Sequence, residues 1–138
     1  MRALVFAAGL GTRLKPLTDT MPKALVPVGG KPLLYHVVEK LISAGITEVV
    51  INIHHFPDSI IGYVHSQDDF GIKVTFADER DLLRETGGGI RHARRSLEGD
   101  SFLVHNVDIL SDLDIPWFIS QARPGALANI LVSDRVTK

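Results

Sequence analysis

The 138-residue sequence contains no cysteine, which excludes disulfide bonds and thiolate chemistry. It also lacks any apolar run near the ~20 residues that a membrane-spanning helix needs. The apolar start is broken by Gly9 and Gly11 before it reaches the length of a signal peptide. An excess of charge is missing too, because 15 Lys and Arg face 16 Asp and Glu. We therefore predict a cytoplasmic protein without a nucleic-acid or membrane partner, in which any anion site is local.

What the sequence does contain is a regular alternation of short apolar segments. Predicted strands cover residues 3–8, 46–53, 72–77, 102–107 and 126–133. The first predicted helix starts at Lys31, with apolar positions at helical spacing up to Ile42, and further helices are predicted over residues 59–65, 86–96 and 115–122. Gly45 is expected to end the first helix. This order indicates a single α/β domain over residues 1–138, a three-layer sandwich whose mostly parallel, Rossmann-like sheet carries helices on both faces.

The loop that follows the first strand is unusually rich in residues suited to anions. Gly9 and Gly11 allow a tight turn and the approach of backbone amides to an anion. Arg13 offers a planar fork of donors for phosphate oxygens, and Lys23 offers a compact cation. Three prolines stiffen this stretch and its continuation, at positions 16, 22 and 27. A Gly/Pro-rich connection with solvated cations is the structural alternative.

Two familiar phosphate-binding motifs do not fit this loop. The dinucleotide fingerprint needs a third glycine at position 14, which is Leu14, and this disfavours a dinucleotide-binding module. The Gly-Lys-Ser/Thr of a P-loop is absent at the required spacing.

The stretch GLGTRLKPLTDTMPKALVPVGGKPL instead resembles the signature of sugar-1-phosphate nucleotidylyltransferases, G-x-G-T-R-L-x-P-L-T followed by P-K-x-L-x-P-V. The segments LISAGITEVVIN, ETGGGI and NVD extend the resemblance over essentially the whole chain. ETGGGI with NVD is most similar to the branch of N-acetylmuramate-1-phosphate uridylyltransferases and mannose-1-phosphate guanylyltransferases. The resemblance implies the nucleotide-diphospho-sugar transferase fold.

The reaction implied by the resemblance joins a nucleoside triphosphate and a sugar-1-phosphate to give an NDP-sugar and pyrophosphate. Gly9, Gly11, Thr12 and Arg13 would hold the triphosphate, with Arg13 on the leaving pyrophosphate. Lys23 would neutralise the α-phosphate and the incoming sugar phosphate, which agrees with the need of such transfers for positioning and charge stabilisation. The nucleotide-binding stretch is taken to begin at the two residues that end the first strand, Ala7 and Ala8.

Asp108 follows a predicted strand and is the candidate magnesium ligand. Mg²⁺ prefers one or two carboxylates together with substrate phosphates. The family usually has Gly-Asp at this point, whereas this sequence has Val107 before the aspartate. A plain turn aspartate is the alternative, and Asp112 and Asp114 are expected to solvate the turn and cap the next helix.

The segment ETGGGI admits two interpretations. Thr86 could cap a helix that starts in the glycine run, or Gly87 and Gly88 could let a planar base lie against the backbone with Glu85 and Thr86 at its rim. We favour the second, because three glycines are costly for a cap alone. The resemblance also puts a base-contacting residue at Glu79. Its carboxylate could accept an N–H from uracil or guanine but would not suit the acceptor N3 of cytosine, so UTP or GTP is expected.

The chain ends at Lys138, directly after a predicted strand, as either a natural terminus or the end of a fragment. The family's second metal-binding aspartate and much of its sugar pocket would lie beyond position 138. On the fragment hypothesis the C-terminal part of the domain is missing and this piece alone is inactive. A catalytically silent, nucleotide-sensing subunit on the same fold is the second functional hypothesis. The sugar and the oligomeric state are left open.

Overall fold

A computed structural model describes residues 1–132 as a parallel sheet with helices on both faces. The strands in chain order are β1 (Arg2–Phe6), β2 (Pro27–Val28), β3 (Lys31–Pro32), β4 (Glu48–Ile53), β5 (Lys73–Asp78) and β6 (Phe102–Asn106). The α-helices are α1 (Leu33–Ser43), α2 (Pro57–Ser66), α3 (Glu85–His92), α4 (Arg94–Leu97) and α5 (Ile115–Ser120). None of the helices in this part of the chain is long and apolar enough to cross a membrane.

The main sheet has four parallel strands in the order β5-β4-β1-β6. The chain moves outward from β1 through β4 to β5 and then returns to the other side of β1 for β6. In sheets of this type ligands bind beyond the carboxyl ends of the strands, at the point where the order reverses. Phe6, at the end of β1, stands opposite Asn52 on one side and Asn106 on the other. The reversal therefore lies between the ends of β1 and β6.

The apolar strands are buried because both faces of the sheet are covered. One face packs against α1, α2 and α5, and its fully buried strand residues include Ala3, Val5 and Ile51. The other face packs against α3 and α4 through a smaller cluster that contains Leu4 and Val50. The predicted three-layer α/β sandwich is confirmed, because alternate residues of one strand enter different cores.

The first helix ends as the sequence predicts, at a glycine. The N–H of Gly45 donates to the carbonyl of Ile42 at 2.8 Å, and the N–H of Ile46 donates to the carbonyl of Leu41 at 3.0 Å. This pair of bonds is the Schellman motif, in which the residue after the helix adopts a left-handed conformation. Gly45 has a φ of 83°.

The chain around the start of α1 differs from the prediction. Lys31 and Pro32 form β3, which pairs with β2 in a hairpin turned by two glycines, and α1 begins only at Leu33. A Gly-Gly pair is a common hairpin turn, so the sequence did carry the pattern.

The predicted strand over residues 126–133 is wrong over residues 126–132, and Ser133 lies outside the described residues. Its apolar side chains, such as Leu127 and Ile130, are exposed, and the segment joins no sheet within residues 1–132. An apolar run forms a strand only when a neighbour takes up its backbone hydrogen bonds. Strand β6 was predicted to be buried. Because no further strand of the described part pairs with it, β6 lies at the edge of the sheet and Val104 is exposed.

We predict opposite effects of alanine at two glycines. Gly45→Ala should lower the free energy of unfolding by about 1 kcal/mol, because an L-residue is strained in the left-handed region. Gly62→Ala should raise it by about 0.5–1 kcal/mol, because Gly62 is an exposed position inside α2 with nothing near its absent Cβ. Urea unfolding monitored by circular dichroism measures both. An unchanged or raised free energy of unfolding in Gly45→Ala would contradict this assignment of the helix end.

Candidate functional site

The loop between β1 and β2 folds back on itself. Three short 3₁₀ turns shape it, at Thr12–Leu14, Leu17–Asp19 and Lys23–Leu25. The Thr18 hydroxyl donates to the carbonyl of Gly11 at 2.8 Å. Gly11 has a φ of 65°, and a Cβ there would lie 2.7 Å from Thr18 Cγ2 and 3.1 Å from Lys23 Cβ. Gly11 therefore lets the two ends of the loop meet, which brings Lys23 back to the end of β1.

Lys23 and Asp108 form an ion pair across the reversal in strand order. The Lys23 Nζ donates to Asp108 Oδ2, although the two residues are 85 positions apart in the chain. The side chains of Lys23 and Asp108 are 19% and 37% exposed, so the pair lies near the surface rather than in the core. The structure thus brings together the predicted lysine and the predicted metal ligand. Asp114 does cap α5, by accepting from the N–H of Trp117 at 2.9 Å.

Arg13 lies on the same loop, in the first 3₁₀ turn, with Thr12 beside it. Both residues are exposed. Within residues 1–132, Arg13 makes neither a side-chain hydrogen bond nor an ion pair, whereas the nearby Lys15 pairs with Asp19 at 3.2 Å. An exposed guanidinium without a protein partner can bind an anion without first breaking an internal contact.

The glycine segment forms the first turns of α3. Thr86 and Gly87 are exposed, and a Cβ at Gly87 would have no heavy atom within 4 Å. Thr86 does not cap the helix, so that alternative is wrong. Arg84 is the residue that precedes the helix, its N–H donates to Glu79 Oε2 at 3.0 Å, and Glu85 adopts a left-handed φ of 56°. The Glu79 carboxylate therefore holds the residue that precedes α3, and no side chain of the described residues caps the helix itself.

The placement of Glu79 corrects a second expectation. We expected its carboxylate to face a base, but Glu79 is 0% exposed. Its Oε1 accepts from Asn52 Nδ2 at 3.2 Å, and its Oε2 accepts from the backbone of Arg84. Two protein donors hold the carboxylate in the interior, so in this arrangement it supports the glycine segment from beneath.

Asn52 is the site residue that sequence reasoning missed. It is 2% exposed at the end of β4, and its Oδ1 accepts from the N–H of Ala7 at 2.7 Å and of Ala8 at 3.2 Å. These amides are therefore occupied, and Gly9 is the first exposed residue of the loop. A polar residue inside the apolar strand EVVINI was the pattern that could have revealed it.

Ion pairs stabilise the turn between β5 and α3. Arg84 contacts Asp81 at 2.8 Å, and Arg80 contacts Asp78 at 2.8 Å. The hydrogen bond from the Arg84 guanidinium holds the pKa of the Asp81 carboxyl well below its usual range. These pairs occupy the arginines of the turn, whereas Arg13 on the first loop is exposed and has no ion-pair partner within residues 1–132.

We predict that two glycines of the loop differ sharply in their tolerance of alanine. Gly11→Ala should lower the free energy of unfolding by about 2 kcal/mol, from left-handed strain and overlap with Thr18. Gly9→Ala should change it by less than about 0.5 kcal/mol, because no heavy atom lies within 4 Å of the added Cβ. Chemical denaturation compares the two variants. Equal losses would contradict the described closure of the loop.

Known proteins resemble this chain in sequence and in fold. The family model described as "Nucleotidyl transferase" matches residues 2–136. N-acetylmuramate alpha-1-phosphate uridylyltransferase from Caulobacter vibrioides is 42% identical over 108 residues, which are 77% of this chain and 45% of that protein. The Oryza sativa subsp. japonica protein named "Probable mannose-1-phosphate guanylyltransferase 1" is 40% identical over 138 residues, 96% of this chain and 38% of that one.

A solved structure supports the same grouping. The crystal structure of HddC from Yersinia pseudotuberculosis complexed with GMP-PN matches with a TM-score of 0.77 at 34% identity, over 86% of this chain and 52% of that chain. This chain therefore spans about half or less of the length of the relatives it matches. The similarity confirms the predicted nucleotide-diphospho-sugar transferase fold. The extent of the family match and the identity to these relatives show that the chain belongs to the nucleotidyl transferase family, among the sugar-1-phosphate nucleotidyltransferases that its first loop resembles.

Proposed function

We propose that the natural protein that contains this chain transfers a nucleotidyl group from a nucleoside triphosphate to a sugar-1-phosphate. The observation that carries the proposal is the Lys23–Asp108 pair at the strand-order reversal, beside a loop that presents Arg13. A carboxylate and two cations at the carboxyl edge of a parallel sheet suit a polyphosphate. The names of the relatives, a uridylyltransferase and a guanylyltransferase that act on sugar-1-phosphates, support the same reaction.

In the proposed reaction an oxygen of the sugar-1-phosphate forms a bond to the α-phosphorus of the nucleotide. The bond from the α-phosphorus to the oxygen that bridges it to the β-phosphate breaks, and pyrophosphate leaves with that electron pair. No general base is needed, because the attacking phosphate oxygen is already ionised. Lys23 neutralises charge where the two phosphates meet, and Arg13 holds the departing pyrophosphate. Gly9, Gly11 and Thr12 form the backbone around the triphosphate.

We propose Asp108 as the protein ligand of a Mg²⁺ ion. Within residues 1–132 no group of three or more histidines and carboxylates is placed to share a metal. One carboxylate is compatible with Mg²⁺, because this ion takes most of its other ligands from substrate phosphates and water. When bound, the ion offsets phosphate charge.

The glycine segment supports a site for the base. Gly87 is an exposed residue of α3 with open space where a side chain would be, and the exposed Thr86 precedes it. A planar base can lie flat against a backbone that carries no side chain, which is the property of Gly87. UTP or GTP is the proposed donor, in agreement with the two kinds of relative.

The alternative of a catalytically silent sensing subunit is not favoured. Such a subunit does not need the groups that stabilise charge during transfer, and this chain keeps Arg13, Lys23 and Asp108. The relatives named above are enzymes by name. The cytoplasmic location and the lack of nucleic-acid and membrane partners stay predictions.

Asp108→Ala in the natural full-length protein should lower turnover by about a hundredfold or more. The reason is the loss of the carboxylate that holds the metal beside the phosphates. Pyrophosphate release is measured with UTP and with GTP, over a panel of sugar-1-phosphates and across a magnesium titration. Asp112→Ala, which removes an exposed carboxylate of the same loop, is the matched control and should retain normal turnover. Near-normal turnover of Asp108→Ala at saturating magnesium would remove Asp108 from the site.

Lys23→Ala should lower kcat by roughly a hundred- to thousandfold, the effect of losing one charge-assisted contact in the transition state. Lys23→Arg should not restore kcat, because a fork of donors does not replace a point charge. Arg13→Ala should raise the KM for the nucleotide and also slow the chemical step. Lys15→Ala, which removes an exposed cation from the same loop, is the control. If Lys23→Ala changed only the nucleotide KM, the lysine would bind substrate without stabilising the transition state.

A further inference from the structure

A buried chain of hydrogen bonds connects the loop after β1 to the start of α3. Asn52 Oδ1 accepts from the N–H groups of Ala7 and Ala8, at 2.7 and 3.2 Å. Asn52 Nδ2 then donates to Glu79 Oε1 at 3.2 Å, and Glu79 Oε2 accepts from the N–H of Arg84 at 3.0 Å. Two side chains thus bridge two stretches of backbone that are far apart in sequence.

The backbone N–H groups at the two ends of this series of hydrogen bonds set the direction of every bond in it. Backbone N–H groups can only donate, so the Asn52 oxygen must face Ala7 and Ala8, and its NH₂ group must face Glu79. The N–H of Arg84 donates to Glu79 from the other side. The residue at position 79 must therefore present two acceptors, which a carboxylate does and a glutamine does not.

Burying a carboxylate to connect two stretches of backbone costs free energy. Within residues 1–132 no Lys or Arg side chain forms an ion pair with Glu79, so its charge depends on the hydrogen bonds from Asn52 and Arg84. No buried side-chain nitrogen or oxygen in the described part lacks a partner. An apolar pair could fill the same space but would leave the N–H groups of Ala7, Ala8 and Arg84 without these acceptors, so the polar pair ties the two stretches of backbone together as well as filling the core.

Gly89, the third glycine of the segment, lies directly against Asn52 and Glu79. A Cβ at Gly89 would lie 3.0 Å from Glu79 Oε1, 3.1 Å from Asn52 Nδ2 and 3.0 Å from Phe6 Cε1. Gly89 therefore lets α3 rest directly on the hydrogen-bonded pair. A side chain at position 89 would force α3 away from the Asn52–Glu79 pair.

We propose that Asn52 and Glu79 are positioning residues that set the spacing between the loop after β1 and the glycine segment of α3. The proposal rests on the function proposed above, in which that loop binds the triphosphate and the segment binds the base. One nucleotide then spans both, and it binds tightly only if the two stretches keep a fixed separation. Asn52 and Glu79 act through the backbone and do not touch the nucleotide.

A charge exchange across the pair tests this role. Glu79→Gln leaves one acceptor for two donors, and Asn52→Asp places two carboxylates against each other. The double variant Asn52→Asp with Glu79→Gln restores all the bonds. In it the carboxylate introduced at position 52 accepts from the amide NH₂ introduced at position 79, and the oxygen of that amide accepts from the N–H of Arg84. Each single variant should weaken the binding of UTP or GTP by about ten- to hundredfold, and the double variant should regain most of it.

Calorimetry with UTP and GTP on the natural full-length protein measures affinity, and amide hydrogen exchange at Ala8 and Arg84 reports the two ends. Exchange should rise at both ends in each single variant and fall back in the double variant. Val64→Ala, a core truncation in α2, is the control that lowers stability and leaves affinity unchanged. Single variants that lose stability but keep affinity, or a double variant without rescue, would overturn the proposal.

The failure of the proposed function would give a different result. If the unaltered protein bound neither UTP nor GTP, the assignment of a nucleotide site would be wrong. Exchange that rises at Ala8 and Arg84 together would still support a fixed spacing between the two stretches, and exchange that changes at one end alone would overturn it.

Discussion

The parallel pairing of β1 with strands on both sides is the constraint on which the site depends. Because β4, β1 and β6 run in the same direction, the residues that follow each of them emerge at one edge of the sheet. Phe6 stands level with Asn52 and Asn106, so the loop after β1 meets Asn52 on one side and Asp108 on the other. The ion pair to Lys23 and the buried bonds to Ala7 and Ala8 both follow from this register.

The glycines of the site perform two different tasks. At Gly11 and Gly89 a side chain would collide with the protein itself, so these glycines allow the loop to close and the helix to settle on Asn52 and Glu79. At Gly9 and Gly87 the space beside the backbone is open. The first pair shapes the site, and the second leaves room at its surface for a ligand.

The prediction was accurate where a feature depends on residues close together in the sequence, and less accurate where it depends on pairing between distant segments. Strands β1, β4, β5 and β6 and the larger helices were predicted to within a few residues, because period and turn residues are local properties. The segment over residues 126–132 has an apolar pattern but no sheet neighbour in the described part, so the strand predicted from that pattern is wrong there. The hairpin at β2 and β3 was overlooked although its Gly-Gly turn is visible in the sequence.

By itself the sequence determined the fold class and the helix end at Gly45, and it supplied the candidate site residues, Arg13 and Lys23 for phosphate and Asp108 for a metal ion. It could not show that Lys23 and Asp108 touch, because a contact across 85 positions depends on which strands become neighbours. It also could not show that Glu79 is buried or that Asn52 joins it to the first loop. A hydrogen bond needs both partners at a set distance and angle, and only the packed tertiary structure brings such partners together.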